Sequence, residues 1–258
     1  MTGPFRLLPT PGHGRRRLGL PVVLALLSAC SDPRPLVLID VGPLPAQPAR
    51  LRVSLSYDGQ PARLPSPILF DLRDHRAGDT ASFGVHLPAS TNGDLVIGAG
   101  VLDAGGCLAG LGTASAAPVL AQPRLSLALQ PPPADVAQDA RCSDPEKTPL
   151  LLRVTPSAVA SRGDDARLQL FGWGFVPAGS DCPIVTIDGN TAPNVLCPSF
   201  AELSVDLPPG VGRVGRVPVR VLNRTNGRAS TRKDLFGYYA KDIVLSPASG
   251  GPVVLGSP

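Results

Sequence analysis

The sequence predicts an all-β protein with two β-sandwich domains in tandem, and three observations support this fold class. The 258 residues include 31 prolines and 28 glycines, which interrupt regular structure and favour short strands and turns over long helices. Several segments alternate apolar and polar residues with the period of two that is typical of strands, most clearly over 51–57. Turn-forming pairs such as Asp58-Gly59 separate these segments. Many short strands without a long helical period indicate sandwiches.

The N-terminal segment has the features of an export signal. Arg15, Arg16 and Arg17 precede a short apolar run over 18–27, and small residues then lead to Cys30. The apolar run is shorter than the roughly 20 residues that span a bilayer, so a permanent transmembrane helix is not expected. We therefore expect residues 1–29 to be a signal peptide that the general secretory route removes.

The segment Leu27-Ser28-Ala29-Cys30 resembles the bacterial lipobox, at which a lipoprotein is cut just before a cysteine that carries diacylglycerol. The resemblance implies that Cys30 is lipidated and that the protein is anchored in a membrane of the cell envelope. Ser31, by resemblance to enterobacterial lipoproteins, implies the outer membrane, on its periplasmic face or at the cell surface. The alternative is an ordinary signal peptide whose cleavage site contains a cysteine.

The net charge of the mature chain argues against a nucleic-acid partner. The whole chain has 24 lysines and arginines against 20 acidic residues. Four of those arginines lie within residues 1–29, so the mature chain has 20 basic and 20 acidic residues. The basic balance of the whole chain thus comes from the export signal, and no nucleic-acid partner is predicted.

Residues 30–50 are predicted to be the lipidated cysteine and a stiff, proline-rich tether. The apolar run 36–39 within it is either a first edge strand or part of the tether.

Residues 51–132 are predicted to form the first sandwich. In its first strand Arg52, Ser54 and Ser56 lie on the face opposite the apolar residues, so one face of the strand is expected to be buried. The further predicted strands are 68–72, 82–87, 95–102 and 125–129.

Three consecutive prolines, 131–133, end the first domain. Residues 133–148 are predicted to be a linker, 149–240 the second domain, and 241–258 a C-terminal tail that is mostly mobile or adds a strand. Pro218 lies at an outward position of a strand over 217–221, which favours an edge strand there.

The second domain resembles the IPT/TIG domain, an immunoglobulin-like fold. The resemblance rests on motifs in the family's order: Thr155-Pro156-Ser157, Gly172-Trp-Gly174-Phe175, Val185-Thr-Ile-Asp188-Gly189, Pro208-Pro209-Gly210, Val219-Arg-Val221-Leu-Asn223 and Phe236-Gly-Tyr238. It covers roughly 90 residues and implies an immunoglobulin-like sandwich. Two cysteines, Cys182 and Cys197, are not required by the family.

The sequence contains little that indicates catalysis. His75 lies in a segment with three aspartates, 71, 74 and 79, which could suggest a metal site. A solvated loop whose charges cancel is the favoured interpretation. No motif of a serine hydrolase, a zinc protease or a phosphate-binding loop is present. The chain is therefore expected not to be an enzyme, and neither a metal nor another cofactor is predicted.

Four cysteines remain after Cys30, and an even number in an exported chain predicts two disulfides with three possible pairings. If Gly189-Asn190 is the turn of a hairpin, Cys182 and Cys197 lie directly opposite each other. We therefore predict Cys182–Cys197, and by elimination Cys107–Cys142, which would hold the linker against the first sandwich.

Two classes of function agree with these features. The first is a lipid-anchored, non-catalytic binding or spacer module that presents two sandwiches to a protein or glycan partner. The second is a structural accessory subunit of an envelope assembly. The sequence does not identify the ligand or the binding residues.

Overall fold

The structure is a computed structural model that describes residues 7–9, 35–61, 67–87, 93–116, 124–134, 141–142, 148–160, 166–177, 181–208 and 214–239. The elements in these ranges are strands, apart from helical backbone at residues 141–142. The protein is therefore all-β, as predicted. The strands are β1 (Leu7–Pro9), β2 (Leu36–Gly42), β3 (Pro48–Tyr57), β4 (Gln60–Pro61), β5 (Ile68–Asp71), β6 (Ala81–His86), β7 (Leu95–Asp103), β8 (Leu108–Ala116), β9 (Arg124–Ala128), β10 (Leu150–Thr155), β11 (Ala158–Ala160), β12 (Arg167–Trp173), β13 (Ile184–Ile187), β14 (Asn190–Thr191), β15 (Leu196–Ser199), β16 (Glu202–Asp206), β17 (Gly215–Arg216), β18 (Val219–Leu222), β19 (Ala229–Arg232) and β20 (Gly237–Tyr239).

Two sheets form the first sandwich. The outer sheet has the order β1-β6-β2-β9, and the central sheet has the order β4-β3-β7-β8 with β5 paired to β3. One apolar cluster fills the space between them, with Ile39, Val53, Val85 and Ile97 among its fully buried members. Apolar residues at alternate positions of each strand thus meet in one core, which is the arrangement that the period of two predicts.

Strand β2 lies inside the segment that was predicted to be a tether. It pairs antiparallel with β6 and parallel with β9, so it is an interior strand rather than an edge. Val37, Ile39 and Val41 are buried in the core. The first sandwich therefore begins by residue 36, and the predicted tether of 30–50 is too long. The burial of three apolar side chains outweighs the proline content of the flanking segments.

Strand β8 was not predicted. Its sequence, LAGLGTASA, is rich in glycine, alanine and small polar residues, which have little strand propensity. It nevertheless pairs with β7 along its whole length. Small residues are needed here because a Cβ atom on Gly112 would lie 2.3 Å from the carbonyl oxygen of Ala128 on β9.

The second sandwich has two four-stranded sheets. The docking sheet, named for its contact with the first sandwich, has the order β10-β12-β16-β15, and the far sheet has the order β14-β13-β18-β19. A small third sheet has the order β11-β20-β17 and adds Val159 and Tyr238 to the core of this sandwich. The core between them includes Leu170, Phe175, Val185, Leu203 and Val221.

Strand β18 corrects the expectation that Pro218 marks an edge strand. The strand begins after Pro218 and lies between β13 and β19. Asn223, at its end, is fully buried and fixes the chain that follows β12. Its side-chain amide nitrogen donates to the carbonyl oxygen of Gly174 at 2.7 Å, and its side-chain oxygen accepts from the amide of Val176 at 3.2 Å. The asparagine of the Val219–Asn223 motif thus has a structural role.

The second disulfide joins the predicted cysteines, but the reasoning that selected them was wrong. The hairpin pairs Thr186 with Thr191 and Ile187 with Asn190, so its turn is Asp188-Gly189. Both turn residues have positive φ, which suits a two-residue hairpin turn. Cys197 lies on β15, which pairs with β16 in the docking sheet. The Cys182–Cys197 bond therefore connects the docking sheet to the segment before β13.

Candidate functional site

The two sandwiches pack closely because two glycines of β7, Gly98 and Gly100, leave one face of the central sheet without side chains. A Cβ atom on Gly98 would lie 2.0 Å from the Cβ atom of Ala201, and one on Gly100 would lie 2.9 Å from the ring of Trp173. Around this contact lies a separate apolar cluster that draws on both domains, formed by Leu102, Leu108, Leu111, Leu150, Trp173 and Ala201. We call this contact the shared interface.

Polar groups of β3 complete the shared interface. The amide of Phe200 donates to Ser54 Oγ at 3.0 Å, and Ser56 Oγ donates to a carboxylate oxygen of Glu202. Ser54, Ser56 and Glu202 are all buried. The polar face of β3 thus contacts the second domain, and both faces of the strand are buried rather than the one that the sequence predicts.

Glu202 is a buried ionisable group of this interface. Burial raises the pKa of its carboxyl group, the hydrogen bond from Ser56 opposes that rise, and the negative charge of Asp94 adds to it. A buried carboxyl with a raised pKa favours its neutral form more than an exposed carboxyl does. The packed interface therefore favours the protonated form of Glu202.

A cleft of about 520 Å³ opens beside Glu202, and both sandwiches line it. The first domain contributes Asp58, Asp94 and Ser115, and the second contributes Arg167 and Gln169 among others. Arg167 Nε donates to Ser204 Oγ at 2.6 Å and lies 4.0 Å from a carboxylate oxygen of Asp206. The polar groups of the cleft can form hydrogen bonds with a ligand or a partner, and the cleft exists only while the domains stay together.

The segment around His75 contains an exposed ion pair between Arg73 and Asp71 and a local hydrogen bond to Asp79. Asp71 accepts hydrogen bonds from the side chain of Arg73, and the Asp79 carboxylate accepts one from the amide of Arg76 at 2.7 Å. The Arg73 hydrogen bonds lower the pKa of Asp71 to about 2. Within the described ranges, no group of three or more His, Cys, Asp or Glu residues could hold a metal ion.

The described residues contain two disulfides, Cys107–Cys142 and Cys182–Cys197. The first attaches part of the predicted linker to the loop before β8, and the second lies within the second sandwich. Disulfides indicate an oxidising compartment outside the cytoplasm. Cys30 with its lipobox and the tail over 241–258 both lie outside the residues that the structure describes. In the described part of the chain, no helix is long and apolar enough to cross a membrane.

The sequence did not identify the residues that meet at the shared interface. Ser56 and Glu202 are 146 positions apart, and neither belongs to a recognisable motif. The one available signal was Trp173, the chain's single tryptophan, which lies between two glycines at a strand end. A tryptophan between two glycines at a strand end indicates that another backbone approaches closely, but it does not identify the partner.

Comparisons with known proteins do not assign a family. No protein-family model matches the chain, and no curated protein matches it. One similar solved structure is a protein of Bacteroides thetaiotaomicron described as "Putative phosphatase", which is 23% identical over 37% of this chain and 19% of that chain. Its TM-score is 0.29. At that value the likeness carries no argument about fold or activity.

Proposed function

We propose that this chain is a lipid-anchored cell-envelope protein, and that its sandwiches act together as a non-catalytic binding or spacer module for a protein or glycan partner. The cleft beside Glu202 is the observation that carries the proposal, because residues of both domains line it. A binding surface that needs two domains gives a reason for their close packing. The proposal includes membership of the second sandwich in the IPT/TIG family, on the motifs described above.

The anchor is proposed on the lipobox and on the two disulfides, which both agree with export. A single acyl chain holds a protein to a membrane only marginally, whereas diacylglycerol on Cys30 together with an N-acyl chain gives durable attachment. Cys30→Ser should therefore move the protein from the membrane fraction to the soluble fraction. Wild-type protein found wholly in the soluble periplasmic or culture fraction would refute the anchor.

Binding by the cleft is tested with the protein lacking residues 1–30, screened against envelope polysaccharides and against envelope extract. Asp94→Asn and Gln169→Ala alter the cleft, and Asp74→Asn is the matched control because Asp74 is exposed and lies outside it. A glycan or protein that binds the control but not the cleft variants supports the module. A stable stoichiometric partner that binds all variants equally would favour the structural subunit, and hydrolase activity would contradict both.

A further inference from the structure

The cleft beside Glu202 carries more negative than positive charge among the described residues that line it. The acidic ones are Asp58, Asp94 and Glu202, and the basic one is Arg167. Arg167 lies 4.0 Å from a carboxylate oxygen of Asp206, which is not part of the lining. The three acidic residues of the cleft have no cationic partner within the described part of the chain.

Glu202 adds a second observation, because one of its carboxylate oxygens has no donor. Its side chain is 2% exposed, and Oε2 accepts the hydrogen bond from Ser56. Oε1 accepts none from the residues that the structure describes. It is also not among the side-chain atoms that are fully buried without a partner. Since Glu202 lines the cleft, Oε1 is open to the space inside it, where a carboxylate oxygen in a buried side chain favours a hydrogen-bond donor.

The apolar part of the cleft suits the stem of a long basic side chain. Leu196 is 47% exposed, and it lines the cleft together with Val96 and Pro198. Lysine and arginine side chains bury their methylene groups against apolar surface and place the charged end among polar groups. Phe171 also lines the cleft but is 3% exposed, so it offers little aromatic face to a sugar ring. The lining therefore favours a basic protein side chain over a glycan.

We propose that the cleft binds an arginine side chain of a protein partner, with the guanidinium group beside Glu202 and Asp94. This inference rests on the proposed binding module and names the chemistry of its partner. A guanidinium group is planar, carries five donors and is more weakly hydrated than an ammonium group, so it suits a partly buried site with several acceptors. Burial and the charge of Asp94 raise the pKa of Glu202, and a bound cation would offset that rise by favouring the ionised carboxylate.

The inference is tested by nuclear magnetic resonance on the exported protein in detergent micelles, titrated with N-acetyl-arginine N-methylamide. Saturable shifts are expected at the amides of Asp94 and Gln169, with a dissociation constant on the order of millimolar for a ligand of this size. The matched probe is the citrulline counterpart, which has the same shape without the charge and should bind at least about tenfold more weakly. No saturable change at the cleft, or equal binding of both probes, overturns the inference.

Protein variants give an independent test. Glu202→Gln keeps the size of the side chain and removes its charge, so it should weaken binding of the arginine probe on the order of tenfold. Asp94→Asn should weaken binding as well, and it keeps the test available if Glu202→Gln alters the packing of the domains. Asp74→Asn is the control, because Asp74 is exposed outside the cleft, and it should leave binding within about twofold. Unchanged binding in both cleft variants overturns the inference.

Failure of this inference can be told apart from failure of the binding module. A glycan that binds through the cleft while the arginine probe does not would overturn the inference and leave the module in place. If no envelope ligand depends on the cleft, the module fails, and the probe titration still decides the inference. A captured envelope protein whose binding is inhibited by the arginine probe, but not by the citrulline probe, supports both. A dimer of the exported protein that Glu202→Gln dissociates would place a second copy in the cleft, and the assignment to a different protein would be wrong.

Discussion

The two faces of strand β3 are both buried, but they hold different parts of the molecule together. Leu51, Val53 and Leu55 on the inner face belong to the core of the first sandwich. Ser54 and Ser56 on the outer face form hydrogen bonds to the second sandwich. Polar residues on a strand therefore need not face solvent, because a neighbouring domain can supply their hydrogen bonds.

The inner face should be the more important for stability. Leu55→Ala removes a buried side chain from the first core, and we expect the free energy of unfolding to fall by about 2–5 kcal/mol. Urea unfolding followed by circular dichroism measures the change. Ser126→Ala, at an exposed position of β9, is the control and should change stability little. A loss below that range would mean that the first core is less tightly packed than described.

The disulfide of the second sandwich should have the next largest effect. Replacing Cys182 and Cys197 together by serine opens a loop of 15 residues, which should lower stability by about 3 kcal/mol. The first sandwich should keep its own stability if its core is independent of this bond. Hydrogen exchange measured by peptide mapping separates the two domains. Equal loss of protection in both would show that the bond stabilises more than the second sandwich.

The outer face should be sensitive to added volume. Gly98→Leu places a side chain where Ala201 already lies, so the domains should separate at a cost of about 1–3 kcal/mol. Small-angle scattering should show a larger radius of gyration with little change in circular dichroism. Gly110→Ala is the matched control, because a Cβ atom there has ordinary contacts of 3.6–3.7 Å. An unchanged radius of gyration for Gly98→Leu would contradict the shared interface.

The hydrogen bond between the domains should have an effect of similar size that depends on pH. Ser56→Ala leaves the buried carboxylate of Glu202 without its donor, which should cost about 1–3 kcal/mol when the residue is ionised. The variant should be less affected at acidic pH, where Glu202 is neutral. Urea unfolding of the variant and wild type at several pH values measures this difference. An equal loss of stability at every pH would mean that the Glu202 charge has no part in the contact.

Glu202 should make the shared interface dependent on pH. Its pKa is raised in the packed state by burial and by Asp94, so its contribution to stability is fully present below the ordinary carboxyl pKa of 4.5. That contribution is lost as the pH rises through the raised pKa. Asp58, Asp94 and Arg167 are the other charged groups that line the cleft, and Glu202→Gln should remove this dependence and stabilise the protein near neutral pH. A steeper dependence in the variant would contradict the assignment.

The sequence predicted most strands of the inner core, because apolar alternation is a local signal. It missed β8, whose small residues are selected by close contacts with β7 and β9 rather than by strand propensity. It also missed the shared interface, because Ser56 and Glu202 are brought together only by the packing of two domains. The pairing of Cys182 with Cys197 agreed with the structure although the predicted hairpin register did not.

The most direct test of the shared interface is acrylamide quenching of Trp173, the single tryptophan of the chain. Its side chain is 1% exposed and packs in the cluster formed by both domains. Strong protection from the quencher is expected in the wild-type protein, and Gly98→Leu should make Trp173 accessible while the sandwiches remain folded. If Trp173 in the wild-type protein is quenched as readily as free tryptophan, the two sandwiches do not pack as described.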